Sequence, residues 1–207
     1  ATHVIMSFLM VGMMSISAPR ALVSVTRVAE VLQAESSIRD PEQTEAFDPA
    51  KAGTVEFDHV DFAYPGAEQK VLQDITFTAN PGEVTAIIGA TGCGKSTLVS
   101  LISRLYDATK GQVKVGGRDV RDYDLDTLRD KVSVVLQKNE LFSGTLIENL
   151  RWGKEDATEE ECVRACRIAC ADEFIREMPD GYQTHIEQGG TNVSGGQKQR
   201  LCIARAL

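Results

Sequence analysis

The residues Gly89-Ala90-Thr91-Gly92-Cys93-Gly94-Lys95-Ser96, followed by Thr97, have the types and spacing needed to hold a chain of phosphates. Glycines at these positions let the backbone wrap closely round phosphate oxygens. The N–H groups then point inward, at the positive end of the helix that follows. Lys95 supplies a positive charge for the β- and γ-phosphates, and the Ser96 hydroxyl is placed to ligate Mg²⁺. A nucleotide-hydrolysing site built on such a loop also needs an acidic group at the end of a second apolar strand. The candidate strand is 132–136 (VSVVL), and it ends in Gln137 rather than Asp.

A second constellation narrows the class. Asn192-Val193-Ser194-Gly195-Gly196-Gln197-Lys198-Gln199-Arg200 opens a helix with a hydroxyl and two glycines, which present N–H groups outward to a γ-phosphate. Coming after the phosphate loop in this order, it resembles the LSGGQ signature of ABC ATPases, with Val193 where Leu is commoner. Phe62-Ala63-Tyr64-Pro65 is similar to that family's A-loop, which implies that Tyr64 stacks on adenine. Gln137 falls at the family's Q-loop, followed by Leu141-Phe142-Ser143-Gly144-Thr145, which implies a catalytic contact to Mg²⁺ and the attacking water. Ile186-Glu187-Gln188-Gly189-Gly190 sits at the exporter X-loop but departs from its Gly-Glu-Arg-Gly pattern. Only Glu187 carries over, as a contact to a membrane-domain loop.

The resemblance covers the whole chain and implies ATP and Mg²⁺ as cofactors. ATP would be held by Tyr64, the loop Gly89, Ala90, Thr91, Gly92, Cys93, Gly94, Lys95, Ser96 and Thr97, and Gln137. Ser194, Gly195, Gly196 and Gln197 of a second nucleotide-binding domain would cap the γ-phosphate. That second domain could be an identical or a different chain. The implied protein is a multidrug-type ABC exporter half-transporter, an ATPase-coupled translocase of the cell membrane. It would be multi-pass, with its nucleotide-binding domain on the cytoplasmic side. Two alternatives stand beside it: a soluble ABC ATPase of DNA repair or translation, and a non-hydrolysing regulatory half of a heterodimeric exporter. The wording around EQGGTNVSGGQKQR is similar to the latter halves.

The elements that must position these groups follow from the hydrophobic pattern. Strands are expected near 55–62, 71–78, 83–88, 111–115 and 132–136, the last a continuous apolar run of the kind buried on both faces. Helices are expected at 95–105, 145–150, 158–171, 172–178 and from 194 onward. The fold class is α/β: a P-loop NTPase of ABC type with an antiparallel β subdomain and a helical subdomain. Cys162, Cys166 and Cys170 recur every fourth residue and read as core packing on one helix face. They lack the converging ligands a zinc site needs. Asp122, Asp124 and Asp126 read as a solvated helix start.

Residues 1–19 contain no Asp, Glu, Lys or Arg, and the first charge is Arg20. A signal peptide would want an initiator Met and a basic start. A buried core helix and a membrane helix also fit, and the length of roughly 20 residues favours the membrane. Arg20 and Arg27 suit a cytoplasmic flank. The expected division is 1–34 as the end of a last transmembrane helix and its extension, 35–53 as linker, and 54–207 as a nucleotide-binding domain. Both ends read as cut, the second before the Walker B Asp, the catalytic Glu and the switch His, so the chain alone is expected to be inactive. The net charge of −8 and a pI near 5.0 exclude a nucleic-acid binder that relies on bulk positive charge.

Overall fold

A computed structural model describes residues 2–207, which form two compact units, one up to Arg39 and one from Asp40 onward. The first unit is a single helix, α1 (Thr2–Gln33). By length and composition it can cross a membrane. At 1.5 Å per residue its 32 residues reach about 48 Å, more than the ~30 Å of a bilayer core. Phe8, Met14 and Leu32 are among its many exposed apolar side chains. Four of its hydroxyls are satisfied within the helix: Ser7 donates to the His3 carbonyl, Ser15 to Val11, Ser24 to Arg20 and Thr26 to Leu22. Such i−4 bonding suits surroundings without water. Pro19 cannot donate to the turn before it, yet the helix continues through it.

The second unit has two cores. The first lies under an antiparallel sheet of β1 (Val55–Phe62), β2 (Leu72–Ala79), β3 (Lys110–Val115) and β4 (Arg118–Asp119), in the order β2-β1-β3-β4. Phe57, Val60, Phe62, Leu72 and Val113 pack with Leu98 and Leu101 of α2 (Lys95–Ile102) and Leu128 of α3 (Leu125–Lys131). The register of β1 slips between Phe57 and Phe62, against β2 and β3 alike. Gly111 is required there, because a Cβ would lie 2.3 Å from the His59 carbonyl oxygen.

The second core is helical. It joins α4 (Leu146–Arg151), α5 (Glu159–Ile168), α6 (Asp172–Glu177) and α7 (Gly195–Ala206), with the short pair β5 (Gly144–Thr145) and β6 (His185–Ile186) at its edge. Leu146, Leu150, Cys166, Ile175, Ile186 and Leu201 fill it. Asp172 is buried beside it and accepts from the Tyr182 hydroxyl at 2.8 Å. Burial alone would raise its carboxyl. Tyr182 and the flanking Arg176 and Arg167 outweigh that and hold it below the ordinary range.

Three expectations are corrected. Residues 83–88 and 132–136 form no strand. Val84 is 99% exposed and Ile88 92%, and both segments run irregularly without a ladder. An apolar run becomes a strand only when neighbours satisfy its N–H and C=O groups, and among the described residues none pairs with these two. The helix after the phosphate loop stops at Ile102, where the chain turns and Arg104 takes a positive φ. Cys170 does not share the face of Cys162 and Cys166: α5 ends at Ile168, and Cys170 is exposed with a φ of 55°. Within the stretch expected as linker, residues from Asp40 lie on the second unit. Asp40 accepts from the Leu125 N–H, and Phe47 packs 6.1 Å from Tyr123.

Candidate nucleotide site

The phosphate loop leads directly into α2. Gly92 and Gly94 take positive φ values of 84° and 92°, which turn successive N–H groups toward one side. At Gly94 a Cβ would meet the Leu72 side chain at 2.9 Å, so the loop lies hard against β2. Gly94 caps α2 without any side-chain bond. The first N–H groups of the helix have no intrahelical acceptor, which leaves them for an anion. Lys95 folds back over the loop, donating to the carbonyls of Gly89 (2.9 Å) and Ala90 (2.7 Å), with its Nζ 3.6 Å from the Cys93 sulfur. Ser96 is exposed beside it, and Thr97 is buried one residue on.

Tyr64 stands two residues beyond β1, and its hydroxyl lies 2.8 Å from the Thr97 hydroxyl. The aromatic side chain and the phosphate loop are therefore brought together, as the sequence spacing alone could not show. Gln137 is exposed on the irregular 132–143 segment and shares no hydrogen bond with the loop among the described residues. A cavity borders that segment and α4, α5 and α7, walled by Leu136, Phe142, Trp152 and Arg205. It contains none of the phosphate-loop residues.

The second constellation starts α7. The Ser194 hydroxyl accepts from the Gln197 N–H (3.3 Å), while the Gln197 side-chain oxygen accepts from the Ser194 N–H (2.9 Å), a reciprocal cap. Gly195 and Gly196 have open space where a Cβ would stand. This cap belongs to the helical core and α2 to the sheet core, and no hydrogen bond joins the two among the described residues. Glu187 accepts from the Thr191 hydroxyl at 2.6 Å, and Asn192 bridges Glu187 and His185.

Residues 72–207 match the sequence profile described as ABC transporter. The chain belongs to the ABC transporter family. It is 47% identical to an uncharacterized ABC transporter ATP-binding protein of Mycobacterium tuberculosis, over 99% of this chain and 35% of that protein. It is 42% identical to a multidrug efflux ATP-binding/permease protein of the same organism, over 95% of this chain and 16% of that protein. Among solved structures it is similar to a bacterial Atm1-family ABC exporter with ATP bound. The TM-score is 0.82 and the identity 29%, over 95% of this chain and 34% of that one. The chain thus spans about a third of the length of the first of these relatives. The sheet-and-helix unit is an ABC ATPase domain, and the family carries with it the binding of ATP.

Two neighbours of this site carry no signal in the sequence. Asp61 is buried at the end of β1, where its carboxylate accepts from Lys70 and from the Asp74 N–H, both at 2.8 Å. These bonds, the Lys70 one foremost, hold its carboxyl below the usual range. Tyr106 packs against Tyr64 from the turn after α2. Neither position shows a periodic or motif signal.

Proposed function

We propose that these residues are the ATP-binding part of a membrane exporter. The supporting observation is the uncapped start of α2 with Lys95 drawn across the loop before it. A triphosphate would replace the Gly89 and Ala90 carbonyls as partner of the Lys95 ammonium. It would also accept the N–H groups of the first turn, with Thr97 beside them and adenine on Tyr64. The donor set suits Mg²⁺, since the exposed Ser96 hydroxyl and Gln137 amide offer oxygen ligands. The ion would neutralise charge on the phosphates. Ser194, Gly195, Gly196 and Gln197 would cap the γ-phosphate of a second nucleotide-binding domain, identical or not.

The run 132–136 ends in Gln137 rather than an acid, so this stretch by itself is read as holding ATP without turning it over. In the longer parent, binding and hydrolysis would be coupled to export through membrane helices, of which α1 would be the last. The nucleotide-binding domain would lie on the cytoplasmic side, with Arg20 and Arg27 at that flank. A soluble ABC ATPase would have no use for the apolar surface of α1. The test is Lys95→Ala in the intact protein, read by equilibrium ATP binding. Losing charge-assisted bonds to phosphate is expected to weaken ATP by about 30- to 100-fold. An unchanged Kd would overturn the reading.

A further inference from the structure

The turn between α2 and β3 carries Tyr106 beside the nucleotide site. Tyr64, the residue read as the adenine platform, has two aromatic neighbours. Phe62 meets it at 5.0 Å between centroids with an interplanar angle of 82°, and Tyr106 at 5.2 Å and 90°. Phe62 and Tyr106 also touch each other at 5.5 Å. Both contacts to Tyr64 are perpendicular, so neither ring lies flat on it, and a flat ligand can still stack there. Phe62 is buried in the sheet core, whereas Tyr106 is partly exposed and lies outside it.

The turn that carries Tyr106 is fastened at both ends. On one side it continues α2, with the Leu105 N–H donating to the Ser100 carbonyl and Arg104 Nε donating to Asp107 at 3.0 Å. On the other, Thr109 gives both its N–H (2.9 Å) and its hydroxyl (2.8 Å) to the Asp61 carbonyl, next to Phe62. The turn therefore links the phosphate-loop helix to the strand end from which Tyr64 projects. The Tyr64–Thr97 hydrogen bond closes the same circuit from the other side.

We propose that Tyr106 is a positioning residue for the base of the nucleotide: packed on Tyr64 from the turn after α2, it holds that ring at the angle at which adenine stacks. The proposal rests on the reading of Tyr64 as the platform. Without the Tyr106 ring, Tyr64 loses one of the two ring contacts it makes among the described residues, and part of the ordering must come from adenine itself. The cost then falls on base recognition and leaves the phosphate contacts of Lys95 and the α2 N–H groups alone.

The experiment measures equilibrium binding of ATP, and of inorganic tripolyphosphate as competitor, to the intact protein and its Tyr106→Ala, Tyr106→Phe and Tyr64→Ala variants. Tyr106→Ala is expected to weaken ATP by about three- to tenfold, the worth of one aromatic pair, with tripolyphosphate unchanged. Tyr106→Phe is expected to bind both as the parent does. Wild-type ATP affinity in Tyr106→Ala alongside a loss in Tyr64→Ala would overturn the positioning role. So would an equal loss of ATP and tripolyphosphate in Tyr106→Ala, or a Tyr106→Phe as weak as Tyr106→Ala. If Tyr106→Ala fails to fold, Tyr106→Leu is read by the same ATP-against-tripolyphosphate split. Unchanged ATP binding in Tyr64→Ala would overturn the platform reading itself, and the inference with it.

Discussion

Cys93 shows how much a single position depends on its surroundings. Five cysteines stand in the chain, and the sequence sets Cys93, in the phosphate loop, apart from Cys162, Cys166 and Cys170. Burial pushes the thiols of Cys162 and Cys202 up, and that of Cys166 up to about 11, so these three stay protonated and inert. Cys93 and Cys170 are exposed. Cys93 alone lies in the phosphate loop, where its sulfur would sit 2.5 Å from a Cβ at Gly89. A maleimide is therefore expected to label Cys93 and Cys170 in the native protein, and saturating ATP to protect only Cys93. Peptide mapping of the labelled protein checks this, and equal Cys93 labelling with and without ATP would contradict it. The phosphate-loop residues were legible in the sequence because their chemistry is local. A stretch of nine residues needs only its own backbone to make an anion cradle. Asp61 and Tyr106 were not legible, since each acts through residues distant in the chain.

At the scale of elements, the helix starts are written by their caps. Thr145, Thr158 and Ser194 each accept from the N–H three residues on, and Glu148, Glu161 and Gln197 return the bond. In α5 the Thr158 N–H, and then Lys154, hold the Glu161 carboxyl down from 4.5 to about 2. A carboxyl lowered by folding stabilises the fold above its unfolded value. That contribution is fully present above about pH 4.5 and is lost as the pH falls toward 2. Thermal melts of the intact protein over this range are expected to fall with acid, and Glu161→Gln to remove that part of the slope. Thr158→Ala is expected to cost about 1 kcal/mol at neutral pH. Identical slopes in parent and Glu161→Gln would count against the cap's contribution. Ser194 carries the same cap, so Ser194→Ala would disturb α7 as well as any ligand, and Ser194→Asn is the cleaner probe of the hydroxyl.

Over the whole molecule the charge is segregated. Every Asp, Glu, Lys and Arg follows Pro19, and the net charge of −8 belongs to what comes after the apolar start. Before Arg20, the described part of α1 offers mostly exposed apolar side chains, with the Ser7 and Ser15 hydroxyls bonded within the helix. The chain is expected to enter the detergent-rich phase in a detergent partition, and a form lacking residues 2–33 to stay in the aqueous phase. Recovery of both forms from the aqueous phase would argue against a membrane role for α1.

The sequence by itself determined what depends on neighbours along the chain: the phosphate loop, the helix starts near 145, 158 and 194, and the long apolar helix. Only the tertiary structure decided what depends on partners elsewhere. The apolar runs 83–88 and 132–136 are strands by pattern, yet they lie unpaired, because a ladder is a property of two segments and never of one. Tyr64 meets Thr97 and Tyr106 because β1 and the turn after α2 are fastened together at Asp61. Spacing along a chain states which groups are available. Packing sets which of them touch, since side chains far apart in sequence come within hydrogen-bonding and ring-contact distance only when the cores beneath them close.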